Sequence, residues 1–335
     1  MLAYIVKRIL STIPVFLIVS FISFGLVSLF PGDFYTPSMF GAAMAGLDAH
    51  EVHEALRVMS GIDKPFVVQW WIWISGVVTR GDFGYSFQTN GSVARFIFHP
   101  DSGLYWTLLI VGSSMFLAWL FGIPLGILTA VRHNRWQDWV ITGATYLGIS
   151  IPGYVFGWIF LWFIYHFVDS MVWKSWLWGL CSYAYRDQPL TLAKALNHAF
   201  HLLPAWLIVG APMFAMVTRH LKMSFLDTLK EPYLTTARSK GLREGRILFK
   251  HGLRNAINPL ISMFGMMLPT LLAGSIIATM VLGLPTFGRV FLNAIENQDQ
   301  HVLTAALLFY SAFLIVGNMI ADLLLAVVDP RIRYT

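Results

Sequence analysis

The sequence predicts an all-α integral membrane protein with six transmembrane helices, on three observations. Only 12% of its 335 residues are charged and 57% are apolar, whereas a soluble domain carries about 25% charged residues. Six stretches are long enough to cross a bilayer and nearly free of charge, since a hydrocarbon core of about 30 Å needs roughly 20 apolar helical residues. The basic residues that remain gather in alternate connecting segments, as they do in membrane proteins with a fixed orientation.

The first span covers about 9–30. It follows Lys7-Arg8 like a secretory leader, but it runs for 22 residues and ends in Pro31-Gly32-Asp33. A cleavage site would be small-x-small, so a retained span is predicted. Within the following segment, 31–103, the stretch Pro65 to Thr79 (PFVVQWWIWISGVVT) is too short to span and contains Gln69. Its Trp70, Trp71 and Trp73 suit a helix lying in the membrane interface.

The second span, 104–131, contains Gly122-Ile-Pro-Leu-Gly126, and the third, 139–168, contains Ser150-Ile-Pro-Gly153 followed by Gly157. Glycines four apart let helix backbones approach closely. A proline inside a span kinks it and frees a carbonyl. The fourth span is placed at 199–217 and the fifth at 259–284. Gly265, Pro269, Ala273, Gly274 and Ala278 form a small-residue stripe on the fifth. That stripe serves either helix packing or a narrow face lining a conduit or meeting a second subunit. The sixth span, 302–328, carries Asp322 one turn beyond Asn318. Asp322 lies seven residues from Asp329, about 10 Å along a helix, so pairing with a loop arginine at the interface is expected rather than a proton relay.

Orientation follows from the basic residues. With the N-terminus inside, segments 1–8, 132–138, 218–258 and 329–335 hold 15 Lys and Arg, and the longer outer segments 31–103, 169–201 and 285–301 hold 8. Both termini are therefore expected in the cytoplasm. The formal charge of +6 then reads as affinity for anionic lipid and a cytoplasmic partner, not nucleic acid. The single cysteine, Cys181, excludes an intrachain disulfide and is read as a packing residue.

The segment 218–258 differs from the other connections, with nine basic and three acidic residues over 41 positions. Glu231-Pro232 places a proline where a first helical turn accepts it. Thr235, Thr236, Ala237 and Arg238 continue a short helix, which Gly241 can end in a left-handed cap. Leu242 to Asn255 reads as a second helix with Leu242, Ile247, Leu248, Phe249 and Leu253 as its apolar positions. A protruding helix-Gly-helix, anchored at both ends to spans, is a good handle for a motor.

The stretch YLTTARSKGL…FKHGLRNAINPLI resembles the cytoplasmic signature loop of ABC importer permeases, in the version carried by the dipeptide/oligopeptide permease family. The opening span with its Pro-Gly-Asp exit, the segment GIDKPFVVQWWIWISGVVTRGDFGYSF, the turn VLGLPTFGRVFLNAIENQDQ and the terminal DPRIRY are similar to the same family. The resemblance thus covers nearly the whole chain as a single permease domain. It implies a type I ABC importer (MetI-like) fold in a bacterial cytoplasmic (inner) membrane, paired with a second homologous permease. Two cytoplasmic ATPases, which bind the ATP and Mg, and an external solute-binding protein complete the assembly it implies. The signature loop is the family's coupling helix, and carried over it assigns the ATPase contact to Glu231, Tyr233, Thr235, Thr236, Ala237, Arg238, Lys240, Gly241 and Leu242. The chain has no GxxxxGK[ST] phosphate loop of its own. It departs from the family pattern at Pro232-Tyr233, in RFIFHPDSGLYWTLLI and in the Trp-rich VWKSWLWGLC at 172–181.

Short peptides are the solute the resemblance implies, with oligosaccharides the alternative because outer tryptophans stack on sugar rings. Nickel is a further alternative, since some relatives import it. The pairs His50/His53 and His198/His201 have i, i+3 spacing without acidic or cysteine ligands beside them, which favours surface or interfacial histidines over metal ligands. Apart from Asp322 the sequence places no carboxylate, lysine or arginine within a span, which weakens a proton-coupled carrier, and no HExxH or GxSxG supports a membrane hydrolase.

Overall fold

The computed structural model describes residues 2–29, 48, 51, 64–86, 91–99, 103–167, 180–185 and 188–328. The Pro-Gly-Asp exit, His50 and His53, most of the Trp-rich loop and the DPRIRY tail lie outside the described residues. By packing, the chain forms two compact units, Met1–Val6, Trp106–Gly288 and Leu314–Thr335 in one, Lys7–Tyr105 and Arg289–Phe313 in the other.

Among the described residues five helices are each long and apolar enough to cross a membrane: Val6–Ser28 within α1 (Leu2–Ser28), α4 (Leu104–Val131), α7 (Leu192–Thr228), α10 (Asn258–Leu282) and, after the short α11 (Phe287–Glu296), α12 (Gln300–Val328). A bent pair, α5 (Trp136–Ser150) and α6 (Gly153–Phe167), meets at 104° and passes the same test of length and hydropathy when taken together. The bend falls at Pro152, which has no N–H to continue the ladder and forces the preceding Ile151 into an extended conformation (φ −92°, ψ 119°). Three glycines wrap the pair onto α7. Gly148 lies against Ala211, and a Cβ added at Gly153 or Gly157 would meet Ile208 at 3.1 or 2.8 Å.

One sequence boundary is corrected. The fourth span, placed at 199–217, is the middle of a 37-residue helix, α7, which is about 55 Å long at 1.5 Å per residue. The helix continues because Val217, Leu221, Phe225 and Thr228 recur at helical spacing and are all buried. Between Val217 and Pro232 the sequence holds neither glycine nor proline. The first eleven residues of the supposed loop 218–258 are therefore helical.

In the second unit α2 (Phe66–Arg80) lies on α1, with the Phe66 and Trp70 rings edge-on to Phe21 at 5.2 and 5.3 Å. Trp70 Nε1 donates to Ser20 Oγ at 3.2 Å and Trp73 Nε1 to the Phe83 carbonyl at 3.2 Å. Trp73 is buried, Trp70 is half-buried, and Trp71 alone of the three is exposed. A two-residue hairpin, β1 (Tyr85–Ser86) with β2 (Gly91–Ser92), leads to the short α3 (Val93–Phe98). Ser86 Oγ donates to the buried Asp299, whose other oxygen accepts from Val302 N at 3.2 Å in the first turn of α12.

Candidate functional site

The predicted helix-Gly-helix is present at the end of α7. Glu231 is the extended N-cap (φ −70°, ψ 135°) and Pro232 opens α8 (Pro232–Ser239). The helix closes through bonds from Lys240 N to Thr236 O (3.2 Å) and Gly241 N to Arg238 O (2.9 Å). Gly241 has φ +71°, with nothing within 4 Å of where a Cβ would stand. Only its backbone conformation requires glycine there.

The second helix, 244–256, forms in three consecutive pieces that we name together α9: Glu244–Arg246, the π-helical Ile247–Gly252, and Leu253–Ala256. The π turn adds a residue that the simple α-period of the sequence did not anticipate. It turns Ile247 fully inward against Leu234 and Ala237, with Leu229, Tyr233 and Leu242 around them. Phe249, read as an apolar packing position, is exposed. Gly252 presses on Phe225 of α7, where an added Cβ would meet the ring at 3.1 Å. Tyr233 OH accepts from Asn255 Nδ2 at 2.9 Å, and the Arg254 guanidinium donates to the Val328 carbonyl at the end of α12 at 3.3 Å.

The predicted contact residues thus divide into two faces. Glu231, Thr235, Thr236, Arg238, Lys240 and Gly241 are exposed, and Tyr233 and Leu242 are half-buried. Ala237 is corrected: it is buried against Ile247 and belongs to the hairpin's own core. Arg238 is also engaged internally, donating to Glu244 at 2.8 Å (Nη2) and 3.4 Å (Nε) across the Gly241 turn. That pairing raises the arginine's pKa and lowers the glutamate's. Both groups are about half-exposed, so the pair steers the turn more than it stabilises it.

The small-residue stripe of α10 divides as well. Gly265 is in backbone contact with α12, where an added Cβ would stand 2.7 Å from Asn318 Cα. Ala278 is buried, Pro269 is half-buried, Gly274 lies beside Val209 of α7, and Ala273 is exposed. Ser262, Met266, Thr270, Ala273 and Met280 form one exposed, mixed-polarity face of that helix. His198 Nδ1 lies 2.6 Å from the Leu180 carbonyl and His201 Nε2 lies 3.1 Å from Ser182 Oγ, so both histidines anchor the 180–182 segment on α7.

Sequence reasoning missed one cluster. Asp138 and Lys222 were assigned to polar connections, but both lie on helices that outrun their hydropathy windows. They meet in a part-buried ion pair at 2.5 Å, with the carboxylate the more enclosed partner. The signal was the repeat Val217, Leu221, Phe225, which carries α7 past Lys222.

Two family models match the chain. One, described as "Binding-protein-dependent transport system inner membrane component", covers residues 122–334, including the α8–α9 hairpin. The other, "Binding-prot-dependent transport system membrane comp, N-term", covers residues 1–102. The chain belongs to the family of binding-protein-dependent ABC importer permeases. This permease is 34% identical over 343 residues to the "Oligopeptide transport system permease protein AppB" of Bacillus subtilis (strain 168), covering 100% of both chains. It is 36% identical over 335 residues, again 100% of both, to the "Glutathione transport system permease protein GsiC" of Escherichia coli (strain K12) and of Shigella flexneri serotype 5b (strain 8401). As a member of the family the permease is a multi-pass membrane component of a transporter, not an enzyme, and works with an ATPase and a solute-binding protein.

Proposed function

We propose that this permease forms half of the path by which an ATP-driven importer brings short peptides into the cytoplasm. A second homologous permease would complete the path, and each permease would receive one ATPase. The observation that carries the reading is the α8–α9 hairpin. It is a compact element with its own core, joined to the end of α7 by a three-residue turn and packed back on α7 through Gly252 and Phe225, presenting an exposed Glu231, Thr235, Thr236 and Lys240. ATP and Mg belong on the partner ATPase, and this chain supplies the surface on which the ATPase pushes. The exposed face of α10 that includes Thr270 and Ala273 suits a conduit wall, because a transport path needs weak, mixed-polarity contacts that release solute readily.

In this reading both termini and the hairpin face the cytoplasm of a bacterium, following the bias of basic residues. With Cys181 replaced, a cysteine at the exposed Gly245 should react with impermeant thiol reagents only from the cytoplasmic side. One at the exposed Asn297 should react only from outside. Labelling of both from the same side would overturn the topology.

The solute class rests on the relatives, whose names specify oligopeptide and glutathione transport. In vesicles containing the whole transporter, labelled tripeptide uptake should require this subunit, and deleting it should reduce uptake at least tenfold. If oligosaccharide uptake depends on the subunit instead and tripeptide uptake does not, the Trp-rich segment at 172–181 marks the solute and the peptide reading falls.

A further inference from the structure

The geometry points to Asp138 and Lys222 as a positioning pair that stiffens the joint between α7 and α5, so that a stroke entering at the hairpin reaches the bent span instead of being lost in α7. This rests on the reading of 231–242 as the ATPase contact. The Asp138 carboxylate is almost fully buried. It accepts from Lys222 Nζ at 2.5 Å, Thr142 Oγ1 at 2.9 Å and Asn134 N at 3.0 Å, and His133 Nδ1 lies 3.1 Å from its second oxygen. Lys222 also donates to Thr142 Oγ1 at 3.1 Å. One turn along, the Arg219 guanidinium lies 4.4 Å over the ring of Tyr146.

Holding two helices together does not need such a cluster, because apolar side chains of similar volume do it as well or better. What an ion pair in this setting adds is register. If α7 slides or rotates on α5, a carboxylate is left buried without its cation, which is strongly unfavourable. The joint therefore has one geometry. Its neighbours complete a continuous line of contact: α8 packs on Ile247, Gly252 presses on Phe225, and three residues before Phe225 Lys222 is pinned to α5. Leu221, next to Lys222, is seated against Gly126 of α4, where an added Cβ would meet it at 3.0 Å. Coupling between distant sites needs a packed element that both bias. This end of α7 is such an element, clamped on three sides, and α5 leads directly into the 104° bend.

The test uses the whole transporter in vesicles. In the double variant Asp138→Asn, Lys222→Met both charges disappear together while the aliphatic stem and the acceptor for Asn134 N remain. It should accumulate in the membrane and sustain ATP hydrolysis, but move at least fivefold less solute per ATP. In a second variant, Asp138→Cys, Lys222→Cys with Cys181→Ser, a short bifunctional methanethiosulfonate should restore solute per ATP, and a reductant should abolish it again. Normal coupling in the charge-free variant, or a bridged form no better than the unbridged one, overturns the proposal. If the charge-free variant fails to accumulate, the bridged form decides. Gly241→Val run in parallel separates the two readings. If it couples normally, the hairpin is not the ATPase contact. If it uncouples while the charge-free double does not, the positioning pair alone falls.

Discussion

Replacing Gly241 with valine should leave the permease in the membrane and reduce ATP-driven uptake at least tenfold. Gly241 sits at φ +71° in open space, so the substitution meets no clash within the chain and acts through the backbone. An L-residue in the left-handed region costs roughly 1–2 kcal/mol, and a β-branched one is worse placed still. The chain escapes by moving Gly241 to negative φ, which re-aims α9 relative to α8. That rearrangement breaks the Leu242 N to Ala237 O bond (3.4 Å) and pulls Arg238 from Glu244. The exposed contact surface then no longer matches its ATPase. Asparagine tolerates the left-handed region, so Gly241→Asn should keep most of the uptake although its side chain is larger than alanine. Uptake and solute-stimulated ATP hydrolysis in reconstituted vesicles check both variants. Normal transport by Gly241→Val would reduce the hairpin to a lipid-facing loop, in which case neutralising Arg243, Arg246 and Lys250 should matter more.

Much of this architecture was legible because hydropathy and breakers mark spans directly. The ends of α4, α10 and α12 fall within two residues of the predicted spans, since charge or Pro/Gly brackets each one. The Glu231-Pro232 start and the Gly241 stop were equally legible, as both are local backbone rules. What the sequence hid were features set by amphipathic continuation and by tertiary contact. The helix carrying Lys222 looked like a basic loop because its exposed face is polar, while its buried face repeats every turn. Asp138 looked like a connection residue for the same reason, and nothing local pairs it with a lysine 84 positions away. The π turn at Ile247–Gly252 is imposed by two inward residues that must both reach α7 and α8. The bent third span was half-visible: Pro152 announced a break, but its 104° size depends on the glycines that let both halves wrap α7.

The α10 stripe gave two readings from sequence, and paired substitutions should separate them. Gly265→Ala should lower the amount of intact permease in the membrane more than twofold, while Ala273→Val should leave it unchanged. A Cβ at Gly265 would stand 2.7 Å from Asn318 Cα, against a comfortable carbon–carbon separation of about 3.5–4.0 Å. The two helices must then part by about 1 Å. Gly317 faces Gly265 from the other side, its added Cβ standing 3.4 Å from Gly265 Cα, so the two glycines set the crossing together. In lipid, helix association depends on this close packing because apolar burial alone no longer drives it. A gap of 0.5–1 Å forfeits a quarter to a half of each contact's attraction, and overpacking typically costs about 1–3 kcal/mol. Trimming the partner cannot relieve the contact, because its nearest fixed atom is backbone. Gly265→Ala combined with Asn318→Gly should therefore stay defective, and full recovery would mean that only the amide side chain was in the way. Ala273 is exposed in the single chain. A larger side chain there should spare folding but reduce uptake severalfold, through the conduit or the second permease, and loss of the subunit itself would assign Ala273 to packing.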